Sequence, residues 1–173
     1  TYGGPVTISF AAISGIDPYG VFSGSTISWS TAGTAALASA MASWENVANI
    51  DFVEAPYNYA DVWVWQASQS QMGTALGWSD VPKYSYGEPL YLAFNGQHSS
   101  WSNEGLSVGG YGYITLIHEL GHLLGLAHPH DGGSAYDGNT FPGVSSPFGD
   151  LGDSNLNQGI FTTMSYNDGW ASQ

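Results

Sequence analysis

The chain has 173 residues, 43% of them hydrophobic and 14% aromatic, enough apolar surface for one folded domain with a sizeable core and too much for a disordered segment. One Lys and no Arg stand against 14 Asp plus Glu, a formal net charge of -13, which excludes the phosphate neutralisation that nucleic-acid binding needs and disfavours an anionic membrane surface. Cys is absent, so disulfides and thiolate metal sites are excluded and any transition metal must use His, carboxylate or Tyr. No apolar run is long enough for a membrane span. The start at Thr1 lacks a basic then apolar leader, so the chain reads as soluble, processed, secreted to the extracellular space and monomeric.

Val6, Ile8 and Phe10 alternate with Thr7 and Ser9, the period-2 pattern of a half-buried strand. Leu37, Ala40, Met41, Trp44 and Ala48 then recur at three- and four-residue steps, predicting an amphipathic helix that Thr31 or Thr34 would cap. Short strands are predicted at Asn49–Glu54, Ala60–Trp65, Ala75–Ser79 and Leu90–Phe94, with Trp63, Trp65 and Trp78 expected in the core. A second helix is predicted from Tyr113 to Leu124, ended by Gly125 in the left-handed conformation. From Pro129 to Gly159 the abundance of Gly, Ser, Asn, Asp and Pro predicts a long irregular loop, and loops of that length in a compact domain are usually functional.

The second helix carries the chemistry. His118 and His122 are four residues apart and share one helical face, so both reach a single ion. Glu119, about 100° around the helix, lies beside that ion as a general base for its water. Gly125 lets the chain turn so that His128 becomes a third ligand, and three protein ligands with one open position are what a catalytic zinc requires. Five fixed positions of this kind arise by chance in about one such chain in twenty thousand, taking each at roughly one in twenty.

The run HELGHLLGLAHP, from His118 to Pro129, resembles the metzincin zinc signature, and Thr163, Met164, Ser165 and Tyr166 resemble the Met-turn of that clan. Within it, AMASWENVANIDF from Ala40 to Phe52 looks similar to the serralysin catalytic domain. The resemblance implies an α+β, zincin-like fold: a twisted mixed five-stranded sheet with an N-terminal helix and an active-site helix within residues 1–128, and an irregular C-terminal part over 129–173, together one metallopeptidase domain. It implies one Zn2+ on His118, His122 and His128, Glu119 as catalytic base, Met164 beneath the ion, and Tyr166 both as a zinc ligand and as an oxyanion partner. Protein or peptide substrates would lie along an edge strand near Ala75–Ser79. The family's glycine-rich calcium repeats are not in these residues, and its final helix would lie past Gln173, which points to a C-terminal segment separated by processing.

In the acidic loop, Ca2+ on Asp131, Asp137, Asp150 and Asp153 is the alternative to a solvated loop of turn-forming Asp, which the lack of EF-hand spacing favours. His98 and His130 read as surface residues, His130 close enough to line the site. Two other functions compete with the peptidase: a secreted metal-stabilised binding or adhesion module without turnover, and a calcium-stabilised extracellular scaffold.

Overall fold

The computed structural model describes residues 3–15, 26–82, 89–131 and 139–169. Five strands form one mixed sheet: β1 (Val6–Ile13), β2 (Ile50–Glu54), β3 (Val62–Ala67), β4 (Gly77–Ser79) and β5 (Leu90–Asn95), in the order β2-β1-β3-β5-β4. All neighbours are parallel except β4, which runs antiparallel to β5 with Trp78 opposite Ala93 and occupies one edge. With helices α1 (Thr31–Glu45) and α3 (Tyr111–Leu123), this is the α+β arrangement expected.

Central β3 reads VWVWQA and is buried at every position, because a strand with parallel neighbours is covered on both faces and has no polar face to alternate with. Val62 and Val64 join Leu37, Met41, Leu116 and Leu120 under the two helices, while Trp63 and Trp65 pack on the opposite face with Ala11, Ile13 and Met72. Trp63 and Trp65 are therefore core, as expected. Trp78 is not: on the short edge strand it is 40% exposed and leans on Tyr91, with ring centroids 4.7 Å apart.

Helix α1 is capped by neither expected residue: its cap is Ser30, one residue before Thr31 and four before Thr34. Ser30 accepts from the Gly33 amide at 3.0 Å, while the Thr34 hydroxyl turns back to the Ser30 carbonyl at 3.1 Å. The helix ends at Glu45, so Ala48 lies beyond it, exposed. Its C-terminal half crosses α3, where the Trp44 indole donates to the Ile117 carbonyl at 3.1 Å and the Tyr113 hydroxyl lies 3.1 Å from both Ser39 and Ser43. A short helix, α2 (Gln69–Met72), was not anticipated, although Ser68 and Gln71 form a complete capping box. Residues 139–169 contain no helix or strand.

Candidate metal centre

Helix α3 starts at Tyr111, two residues before the expected position, because backbone alone makes its N-terminus: Gly110 offers no side-chain cap. It ends with Leu124 as cap and Gly125 at φ +94°, the left-handed turn expected there, and the Gly125 and Leu126 amides close onto the His122 and Gly121 carbonyls at 2.9 Å. That turn brings His128 back over the helix. His128 Nε2 lies 3.2 Å from His118 Nε2 and 3.0 Å from His122 Nε2.

The opposite ring nitrogens decide what those three atoms are. His118 Nδ1 is 2.7 Å from the Thr163 carbonyl, His122 Nδ1 is 2.8 Å from the Leu126 carbonyl, and His128 Nδ1 is 2.6 Å from Asp131 Oδ2. Each partner is an acceptor, so each Nδ1 donates, and in the neutral rings all three Nε2 atoms present lone pairs to one another. Burial keeps the His118 ring neutral by pushing its pKa down to about 4, and burial lowers His122 as well. Converging lone pairs repel and a cation between them removes the repulsion. A tetrahedral zinc with Zn–N near 2.0–2.1 Å separates its ligand nitrogens by about 3.3 Å, so the residues present fit that ion, with the three acceptors as the outer partners that orient them.

Glu119 points from the same helix into an apolar setting where it is 7% exposed, and burial pushes its carboxyl up to about 8. Strand β4 presses against it. A Cβ on Gly77 would fall 2.5 Å from Glu119 Cγ and 2.6 Å from its Oε1, so only a residue without a side chain lets the edge strand run this close without moving the carboxyl.

Residues 139–169 close the site from below and from one side. Met164 is 2% exposed, and its sulfur lies 2.6 Å from where a Cβ of Gly121 would be, which accounts for the glycine inside the HELGH run: the methionine packs directly against the backbone that carries both histidines. Tyr166 faces the histidines, its ring centroid 5.7 Å from His118 and 4.5 Å from His128, with Phe148 stacked on it at 5.5 Å. Burial, then the Glu119 and Asp131 charges, push the phenol above its ordinary value, which keeps its proton available for donation. The segment has no strand ladder; turn-type backbone bonds, such as Asp153 to Pro142 and Gly159 to Asn167, are joined by side-chain amides. Fully buried Asn157 donates to the Asp150 carbonyl at 2.7 Å and accepts from Ser165 at 2.7 Å, and Asn167 donates to the Asn157 carbonyl at 2.9 Å and accepts from Gly149 at 2.7 Å. Tyr166 thus sits between two anchored neighbours.

The acidic residues disperse. Asp131 is committed to His128, Asp150 accepts from the Ser145 amide and hydroxyl at 2.8 and 3.0 Å, which lowers its pKa, and Asp137 lies outside the described residues. Among the described residues, the metal-donor groupings are His118/His122/His128 and His128/His130/Asp131; Asp150 and Asp153 enter neither. His130 is no open-surface residue: its ring stacks on His128 with centroids 5.0 Å apart. His98 instead caps the short 3-10 helix Ser99–Trp101. The partners that sequence reasoning missed are Asp131 as acceptor for His128, which its i,i+3 spacing could have suggested, and the Thr163 and Leu126 carbonyls, which leave no residue signature.

Between β4, α3 and the irregular segment runs a cleft of about 750 Å³, floored by His118 and Glu119 and walled by Ile114, Ile160, Tyr166 and Asp168. An HExxHxxGxxH helix over a methionine-bearing turn, beside an antiparallel edge strand, is a metzincin-type site. No family model matches the chain. The similarity to curated proteins is more particular. The chain is 38% identical over 96 residues to Metalloprotease AprA of Pseudomonas entomophila (strain L48), covering 53% of this chain and 19% of that protein. It is 33% identical over 99 residues to a serralysin of Photorhabdus luminescens, covering 51% and 18%, and 32% identical over 100 residues to a serralysin of Proteus mirabilis, covering 51% and 20%. The chain thus carries a serralysin-like domain and spans only about a fifth of the length of these relatives. Among solved structures, two of myroilysin align with TM-scores of 0.45, one at 22% identity over 75% of this chain and 52% of that one, the other at 19% over 99% and 67%.

Proposed function

We propose that the protein is a zinc-dependent endopeptidase acting outside the cell on protein or peptide substrates. The observation that carries this reading is the convergence of His118 Nε2 and His122 Nε2 on His128 Nε2, at 3.2 and 3.0 Å, beside a buried carboxyl in an open cleft. A purely structural zinc would be enclosed by four protein ligands. The names of the similar proteins, metalloprotease and serralysin, support the same reading.

His118, His122 and His128 would hold the ion, and zinc when bound supplies Lewis acidity, acidifying water and polarising a carbonyl. Glu119 then takes the proton of the attacking water and delivers it to the departing amine nitrogen. Its high proton affinity in the apolar pocket suits the second half of that task, and a neighbouring dication favours the ionised form that the first half needs. Tyr166, with its proton retained, would donate to the oxygen on which charge develops. The substrate backbone would pair with the outer edge of β4, which has no strand partner among the described residues, and so place its scissile bond beside Glu119. Export is part of the proposal; no helix among the described residues is long and apolar enough to cross a membrane.

The deciding experiment is casein hydrolysis by the zinc-loaded protein, with Glu119→Gln as control. Glu119-dependent cleavage supports the reading. Stoichiometric zinc without any such cleavage would overturn it in favour of a metal-stabilised binding module.

A further inference from the structure

The cleft next to Glu119 has an uneven character. Its α3 wall presents Ile114 and Ile117, and its far wall presents Ile160 and Phe148, all apolar. Among the described residues, Asp168 is the one acidic residue besides Glu119 that lines the cleft, and no Lys or Arg does; Lys83, the chain's one Lys, lies outside the described residues. Asp168 stands exposed, two residues after Tyr166, and no hydrogen bond or ion pair engages it among the described residues.

A cleft that starts beside Glu119, has isoleucine and phenylalanine on its walls and includes one further carboxylate complements a side chain with a flexible aliphatic stem and a cationic head. A glutamate or aspartate entering the same space would leave water to meet like charge, with no cation to pair with among the described lining residues. The whole chain carries a net charge of -13, so the wider field reinforces the same selection.

We propose that this cleft receives a lysine or arginine side chain flanking the scissile bond, with Asp168 as the specificity-determining residue. The inference rests on the peptidase reading above and adds the substrate class. Composition supports it independently: with one Lys and no Arg in 173 residues, the protein offers almost none of the side chain it would cut beside.

The test uses zinc-loaded protein and peptides identical except for Lys, Met or Glu placed in turn at each position flanking the cleaved bond. Cleavage is read as kcat/KM, and binding is measured separately on Glu119→Gln. At one of the two positions Lys is expected to exceed Met by about 10-fold and Glu by about 100-fold. Asp168→Asn should collapse the Lys-to-Met ratio to within about 2-fold, and Asp168→Lys should reverse the order in favour of Glu. Equal handling of Lys and Met by the unsubstituted protein, or a ratio unchanged in Asp168→Asn, would overturn the proposal. The two readings fail differently. Cleavage without the ranking removes Asp168 as determinant and leaves the peptidase standing, whereas ranked binding without cleavage supports the cleft assignment and removes turnover.

Discussion

The sheet-and-helix region and residues 139–169 solve the same problem by different physics. In the first, backbone ladders satisfy the polar main chain and apolar side chains such as Leu92, Phe94, Leu116 and Leu120, all fully buried, fill the space between sheet and helices. The second has no ladder. Its core is two buried asparagines that satisfy main-chain groups one by one, with Val144 and Met164 as its buried apolar residues. The candidate metal centre straddles the two: α3 supplies His118, Glu119 and His122, while the irregular segment supplies the Thr163 carbonyl beside His118, the methionine against Gly121 and Tyr166. A rigid helix sets the spacing of the donors, and a segment held by side chains tunes their direction.

The sharpest way to separate the contributions is to remove the proposed proton carrier without disturbing either region. Glu119→Gln should lower kcat by roughly a thousandfold while zinc stoichiometry and melting temperature stay near those of the parent protein; steady-state kinetics with metal analysis measures this. In the irregular region, Asn157→Ala strips two buried hydrogen bonds and should cost about 2–3 kcal/mol. Hydrogen exchange would show the loss confined to residues 149–167, with β3 and α3 still protected; uniform loss of protection would mean that the two regions fold as one unit. Across the boundary, Gly121→Ala drives a methyl against Met164 and should cost about 1–3 kcal/mol, and pairing it with Met164→Ala should recover part of that in a double-mutant cycle.

A pH effect is expected in the metal-free protein. The Glu119 carboxyl is held at about 8 when folded against an ordinary 4.5, so the folded state keeps a proton that the unfolded state releases. Its stabilising contribution is present below pH 4.5 and lost as pH rises towards 8. His118, with its folded value about 4 against 6.5, works in the opposite sense below pH 6.5, so the Glu119 effect stands out between pH 6.5 and 8. Denaturant melts there should show stability falling by about 1 kcal/mol per pH unit, and Glu119→Gln should remove that slope. The smallest expected change lies in the regular region. Ser30→Ala removes the α1 cap for about 1 kcal/mol and should leave cleavage kinetics unchanged.

Much of this was legible in the residues because the relevant physics is local. Alternation in Val6–Phe10 marks a strand whatever surrounds it, and the four-residue step from His118 to His122 places two imidazoles on one face of any helix. Where local signals were degenerate, the reading slipped: Ser30, Thr31 and Thr34 are all competent caps, and only the direction in which the chain enters α1 selects the serine. Trp78 resembles its neighbours Trp63 and Trp65 in the sequence, and what exposes it is an edge position that depends on strand order.

By itself, then, the sequence singled out the three candidate donors, the helix that spaces two of them and the glycine turn that returns His128, since helical periodicity and the steric freedom of Gly125 act over a few residues. Tertiary structure alone decided the orientation of His118, because the Thr163 carbonyl reaches that ring from 45 residues away, whereas Leu126 and Asp131 lie within four residues of the rings they meet. It also decided why Gly77 and Gly121 lack side chains, since their neighbours Glu119 and Met164 are 42 and 43 residues away. Close packing between distant segments has no period for a sequence to display.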